Sequence, residues 1–413
     1  MPDTKRPTFS RLPIFACASF IAFLFLASIW NFAVERDWPK LRIRSAAPLS
    51  GLARTKPAPW SVDAFLSGET QKAVSNNFTR ALPIFPIAVR ARNQFVFSLF
   101  GFSPAPGVVI GRDGQLFEQI YIDEFCRRGA APNPADVERW ADSIREIQKA
   151  IEGAGKSFVY LISPSKAARY SEDLPATGSC AAQAAAGPDK LAPYLAALAE
   201  RDVRYVDGAG LVTAKRAAFE VPLFARGATH WNALGAALAL REITAVSPSA
   251  IGRLDFVWRE TTSAIGWDRD LLDMLNLLWP DAAYPTAAIE RAEAPQPCAR
   301  APALLALGGS FLHPLLIAAM LAACPPGVDY WFYMRTENND VELWHDRRAP
   351  GDVDYGPRLG TEPGLLAENL RKADLVILEE NESRIGESRQ VEHLLAAARV
   401  GLGDHAAEGG ASQ

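Results

Sequence analysis

From Leu12 to Val34 the chain carries no charged side chain. At 1.5 Å per residue a helix over this run reaches about 35 Å, enough to cross a bilayer with some tilt. The pattern predicts one transmembrane helix, with Trp30 and Phe32 at its far interface. A second uncharged run, Ala303 to Ala323, is also long enough to span. It would, however, place Gly308, Gly309, Ser310, His313 and Pro314 near the bilayer centre, where polar groups are costly. It divides instead into a buried strand over 303–307 and a buried helix over 311–323, turned by Gly308-Gly309-Ser310. Pro314 then falls in the first turn of the helix, where proline is tolerated.

The remaining pattern alternates strands with helices. Val62 to Phe100 has roughly helical spacing. Val108–Ile110 and Gln115–Phe117 flank Asp113-Gly114, a hairpin signal. Asn133-Pro134 opens a helix whose apolar residues Val137, Trp140, Ile144, Ile147 and Ile151 recur at three and four, and Gly153 and Gly155 stop it. Strands are predicted over 158–162, 203–206, 328–333 and 375–378, and helices over 190–200 and 232–244. This order predicts a mostly parallel sheet with helices on both faces. The expected organisation is a cytoplasmic tail over 1–11, a retained signal anchor over 12–34, a Pro/Ala-rich linker over 45–60, one α/β domain over 61–385, and a C-terminal helix with a frayed tail over 386–413. A short N-terminal tail before a large domain predicts that residues 45–413 lie outside the cytoplasm, single-pass, in the periplasm.

Composition narrows the function classes. The 413 residues include 43 basic and 47 acidic ones, which argues against a nucleic-acid binder. Five scattered cysteines and five histidines show no metal-ligand spacing, and no phosphate-binding loop is present, so no metal or cofactor is called for. Gly208-Ala209-Gly210 follows a predicted strand, but Thr213 stands where a dinucleotide fold wants Gly or Ala, and the segment reads as a turn. Two disulfides are expected. Cys298 and Cys324 bracket the strand–helix unit at one sheet edge, within bridging reach, and Cys126 is assigned to Cys180. Cys17 lies in the span, unpaired.

Two places carry chemistry. Ser310, between a buried strand and a helix, sits at the carboxyl edge of the predicted sheet, where open α/β folds place their sites. The helix N-terminus offers N–H groups to a developing oxyanion. The plainer alternative is an N-cap serine. His230 lies in a loop just before a helix, again at that edge, and the plainer alternative there is a structural histidine. Together they suggest a nucleophile and its base.

Gly308-Gly309-Ser310-Phe311 resembles the Gly-Asp-Ser-Phe block of the SGNH hydrolases. Thr229-His230-Trp231-Asn232-x-x-Gly235 resembles the Asp-x-His-Trp block of the alginate O-acetyltransferase (AlgJ/AlgX-like) branch. In that branch the histidine block precedes the serine block, a permuted order shared here. Gly111-Arg112-Asp113-Gly114-Gln115-Leu116-Phe117, Pro164-Ser165-Lys166 with Tyr170, and Asp374-Leu375-Val376-Ile377 with Glu382 are further matches. The resemblance covers about residues 60 to 385. It implies an SGNH-like three-layer α/β/α fold with Ser310 and His230 catalytic and with Gly309 and Asn232 as oxyanion or positioning residues. It also implies a membrane-anchored, periplasmic O-acetyltransferase that acts on an exopolysaccharide through an acetyl-serine, supplied by a multispanning membrane acyltransferase. A carbohydrate esterase using the same pair, and a catalytically silent glycan-binding or scaffold subunit, are the alternatives.

Two positions depart from the pattern: the branch's aspartate falls on Ala228, and Gly309 replaces the common aspartate of the serine block. Either Ser310 and His230 act as a dyad, or a carboxylate comes from elsewhere, with Asp207, Glu379 and Glu380 as candidates, or the enzyme is degenerate. For a dyad, Ala228→Asp is expected to speed acylation by about 10- to 1,000-fold.

Overall fold

A computed structural model describes residues 12–34, 47–51, 57–127, 131–175, 180, 190–247, 252, 256–291, 300–322, 324–335, 341–346, 363–387 and 389–402. The chain falls into two compact units, residues 1–106 with 273–280 and residues 107–272 with 281–413. Residues 61–106, which the sequence pattern assigns to the α/β domain, therefore belong to the first unit.

In the first unit, α1 (Leu12–Val34) leaves Ile14, Phe15, Phe20, Phe23 and Leu26 exposed. Among the described residues, Ile14–Val34 is the one stretch of helix long and apolar enough to cross a membrane. The single helical pattern expected over 62–100 is three helices, α2 (Val62–Leu66), α3 (Glu69–Ala81) and α4 (Phe85–Phe100). Gly68, at φ 84°, makes the first break, and Pro83 follows the end of the second helix.

The second unit opens with the antiparallel hairpin β1 (Val108–Ile110) and β2 (Leu116–Glu118). It continues through α5 (Gln119–Cys126), α6 (Pro134–Gly153), β3 (Ser157–Ser163), α7 (Lys166–Arg169), α8 (Ala192–Glu200), β4 (Tyr205–Asp207), α9 (Gly208–Lys215) and α10 (Ala233–Val246). A second hairpin pairs β5 (Phe256–Thr261) with β6 (Thr286–Arg291), and the short α11 (Asp270–Met274) begins between them in the chain. Then come β7 (Ala303–Gly308), α12 (Leu312–Ala319), β8 (Gly327–Arg335), β9 (Val341–Asp346), α13 (Pro363–Lys372), β10 (Leu375–Asn381) and α14 (Gln390–Leu402).

Six strands form one sheet in the order β4-β3-β10-β7-β8-β9. Every neighbouring pair is parallel except β8–β9, an antiparallel edge. The central strands carry continuous apolar runs, Phe158–Ile162, Ala303–Leu307 and Leu375–Leu378, because helices cover both faces. Phe158, Tyr160 and Ile162 of β3 pack with α6, α8, α13 and α14 on one side, and Val159 and Leu161 pack with α10 and α12 on the other. This is a three-layer α/β/α arrangement. On α6, Asn133 caps by accepting the Ala135 N–H at 3.1 Å. Ile144, Ile147 and Ile151 are fully buried, each contributing about 1.5–3 kcal/mol relative to exposure.

The interrupted apolar run resolves into β7 and α12, both buried. Gly208-Ala209-Gly210, expected as a turn, instead begins α9, because the Asp207 carboxylate accepts the Gly210 N–H at 2.8 Å and caps the helix. Cys126 and Cys180 form a disulfide. Cys324 is also disulfide-bonded, and Cys298, its expected partner, lies outside the described residues. Cys17 on α1 is free.

Candidate active site

The site lies where β7 and β10 end. β7 delivers Gly308, and the chain turns through Gly309 and Ser310 into α12. A side chain at either glycine would press on a neighbour. A Cβ on Gly308 would come within 2.4 Å of Glu379 Oε2, and one on Gly309 would come within 2.9 Å of the Tyr333 ring. The aspartate common at position 309 in the resembled block would here displace the Tyr333 ring. Ser310 is not the helix cap: the N-cap is Phe311, with no side-chain cap bond. Its Oγ instead lies 2.7 Å from His230 Nε2.

His230 arrives from the loop before α10, and three interactions hold that loop. Trp231, fully buried, donates its indole N–H to the Phe311 carbonyl at 2.9 Å, tying the histidine loop to the serine turn. Asn232 caps α10 by accepting the Gly235 N–H at 3.0 Å. Lys166, buried at the start of α7, donates to the carbonyls of Leu116, Ala225 and Ala228 at 2.9 Å, and to that of Arg226 at 3.1 Å. Burial drives its ammonium down to about 7, with Asp270 acting the other way.

The carboxylate comes from Asp270, at the start of α11. Its Oδ2 accepts from His230 Nδ1, and its Oδ1 accepts the N–H groups of Thr229 at 2.9 Å and Leu271 at 2.6 Å. A carboxylate at Nδ1 fixes the proton there and leaves Nε2 to accept the Ser310 hydroxyl. The His230 side chain is 7% exposed, with Trp267 edge-on at 5.0 Å and Phe311 tilted at 4.8 Å.

This geometry corrects the expected source of the carboxylate. None of the three candidates bonds His230. Asp207 caps α9. Glu380 accepts the Trp140 indole N–H at 2.8 Å and the Tyr160 hydroxyl at 2.7 Å. Glu379 sits beneath the serine turn, accepting the Gly309 N–H at 2.6 Å and the Ser163 hydroxyl. The two oxyanion candidates move as well. The Gly309 N–H is taken by Glu379 and its carbonyl by the Tyr330 hydroxyl at 2.7 Å, while Asn232 is fully buried in its cap. The Ser310 N–H has no protein acceptor among the described residues. Ser310 opens on a cavity of about 360 Å³, which Glu118, Tyr121, Glu124, Tyr333, Arg384 and Glu387 also line. Burial pushes the Glu118 carboxyl above its usual range, with His230 acting the other way.

Sequence reasoning missed Asp270. The only local signal is an acidic residue opening the short apolar turn Asp270-Leu271-Leu272, and nothing in the chain's order brings it to His230.

Residues 108–303 match a family model described as the SGNH hydrolase-like domain of acetyltransferase AlgX. The chain is 31% identical over 173 residues to Probable alginate O-acetylase AlgJ of Pseudomonas aeruginosa, a match that spans 41% of this chain and 40% of that relative's length. Among solved structures, the O-acetyltransferase domain of Pseudomonas putida AlgJ aligns with a TM-score of 0.44 at 20% identity, covering 71% of this chain and 99% of that one. Pseudomonas aeruginosa AlgX aligns with a TM-score of 0.41 at 14% identity, covering 70% and 67%.

Two predictions arise from the site. Asp270→Asn is expected to slow acylation of Ser310 by an activated ester by about 10⁴-fold in a folded protein. Ala228→Asp is expected to bring no gain, because Nδ1 is already occupied. Burst kinetics on both variants check the pair. The second concerns Glu379, whose carboxyl burial pushes up to about 7, against the lowering bonds from Ser163 and Gly309. The folded protein keeps a proton here that the unfolded chain releases near pH 4.5. The group's contribution to stability is therefore full below that pH and is lost as pH rises through 7. Urea unfolding should show that Glu379→Gln reduces the stability lost between pH 5 and pH 8 by about 2–3 kcal/mol.

Proposed function

We propose that this chain, which carries an SGNH hydrolase-like domain of the AlgX kind over residues 108–303, is an O-acetyltransferase that acylates a polysaccharide through an acetyl-serine at Ser310. The observation that carries this reading is the unbroken chain Asp270–His230–Ser310 opening onto a cleft at the carboxyl edge of the sheet. His230 Nε2 takes the Ser310 proton as Oγ attacks the acetyl carbonyl of the donor, and the same proton goes to the departing group. In the second half a sugar hydroxyl gives its proton to His230 and attacks the acetyl carbon. The Oγ–acyl bond breaks, and Ser310 recovers its proton from the imidazolium, which Asp270 stabilises. The Ser310 N–H supplies one donor to the oxyanion of each tetrahedral intermediate.

We place the catalytic unit in the periplasm, held to the inner membrane by α1, with acetyl groups delivered by a multispanning membrane acyltransferase. The apolar helix at Ile14–Val34 supports the anchor, and the Cys126–Cys180 disulfide supports an oxidising compartment. The silent-scaffold alternative rested on Ala228, and Asp270 removes that motive.

A serine-directed fluorophosphonate tests the reading. The wild-type protein is expected to be labelled at Ser310, and Ser310→Ala to lose both labelling and polymer acetylation while unfolding at nearly the same temperature. Normal acetylation by Ser310→Ala would refute the acetyl-serine route.

A further inference from the structure

We propose that α4 lies on the membrane that α1 crosses, with its exposed face sunk among the lipid headgroups and the first acyl carbons. It would be a second membrane contact beside the anchor. This inference rests on the anchor reading of α1 above and goes beyond it.

α4 is built inside out for a helix in water. Its one fully buried side chain is polar: the Asn93 amide donates to the Leu275 carbonyl at 2.9 Å. Its apolar residues face outward. Ile87, Ala91, Phe95 and Leu99 recur at every fourth position, which makes one stripe along the helix. All four are exposed, Phe95 by 57% and Leu99 by 64%. Gly101 ends the helix in the left-handed conformation, at φ 65°. Beyond it Phe102 stacks on Phe100 at 6.3 Å, and Phe100 meets Phe95 edge-on at 6.0 Å. The three rings form one cluster, each more than half exposed. A single exposed apolar side chain needs no explanation, but a contiguous patch marks a surface that meets protein or lipid.

Which of the two it meets follows from where α4 begins. The N–H of Ile84, the N-cap of α4, donates to Ser28 Oγ of α1 at 3.0 Å. Phe78 of α3 packs edge-on against Phe32 of α1 at 5.7 Å. Ser28 and Asn31 are buried there, while Ile14, Phe15, Phe20, Phe23 and Leu26 are bare. A helix from Ile14 to Leu26 is about 20 Å long, too short by itself to cross a hydrocarbon core of about 30 Å. The turns that carry Ser28 and Asn31 must therefore enter the membrane as well. They bring the end of α3 and the start of α4 to the depth of its interface, where an apolar helix face sinks about 5–10 Å into the headgroup–acyl boundary. The charge also fits lipid. From Glu69 to Phe102 the single acid, Glu69, is outnumbered by Lys72, Arg80, Arg90 and Arg92, and basic residues on such a surface are attracted to anionic headgroups.

The test uses the full chain with Cys17→Ser, since Cys17 is the one free cysteine among the described residues. A new cysteine, Leu99→Cys or Phe102→Cys, carries the polarity-sensitive NBD fluorophore. Each labelled chain is placed alone in a nanodisc of phosphatidylcholine and phosphatidylglycerol. Phe102 lies beyond the helix, so its variant carries the test if Leu99→Cys fails to fold. Nitroxides near the headgroup end of the acyl chains are expected to quench the label more strongly than nitroxides at the far end. Iodide in the water is expected to quench it several-fold less than it quenches NBD-cysteine in solution. Cleavage of α1, or a chain that carbonate strips from the bilayer, would overturn the anchor reading and the inference together. With α1 retained, a label open to iodide and untouched by lipid nitroxides would overturn the inference alone. So would a label shielded from both, which would put a protein surface, and not lipid, on α4.

Discussion

The hydrogen bond between Asp270 and His230 is the contact on which the arrangement depends. The carboxylate does two jobs with two oxygens: one holds the imidazole, and the other gathers the N–H groups of Thr229 and Leu271. Asp270 therefore fastens the histidine loop to the start of α11 and sets the tautomer of the ring within it. A carboxylate at position 228 would belong to the histidine's own loop. One supplied from 40 residues downstream makes the site depend on where the chain after β5 holds Asp270.

Around that contact, buried polar groups hold the backbone that presents the reactive atoms. Lys166 gathers carbonyls from β2 and from the loop before His230. Trp231 joins the histidine loop to the serine turn, and Glu379 and Tyr330 grip Gly309 by its N–H and its carbonyl. Each of these groups would be costly to bury unpaired, so their partners are strongly specified, and with them the separation between Ser310 and His230.

Much of this was legible in the sequence, for identifiable reasons. The apolar run at 303–323 betrays its turn because glycines, a serine and a proline interrupt it. β3 and β10 read as strands because parallel strands buried on both faces are continuously apolar. Ser310 stands out because it follows a buried strand that ends at the sheet's carboxyl edge, and His230 because it lies in a loop just before a helix. Asp270 could not be read, since no periodicity or spacing links a single acid among 47 to a histidine it meets only in the folded chain. Glu379 and Glu380 were visible as acids at a strand end, but which partner each would take depends on the tertiary packing of Ser163, Gly309, Trp140 and Tyr160. The β5–β6 hairpin escaped because Thr286-Ala287-Ala288 has weak strand propensity, and β9 because it is a six-residue edge strand in which Glu342, His345 and Asp346 interrupt the apolar positions.

The claim that the carboxylate of the triad has been relocated to Asp270 is tested most directly by proton NMR of the His230 ring. A carboxylate-bonded Nδ1–H gives a far-downfield imidazole proton resonance. The account predicts that wild-type protein shows this resonance, that Asp270→Asn loses it or shifts it strongly upfield, and that Glu379→Gln and Asp207→Asn retain it. A resonance unchanged in a folded Asp270→Asn protein, or absent from the wild type while Ser310 reacts normally, would contradict it.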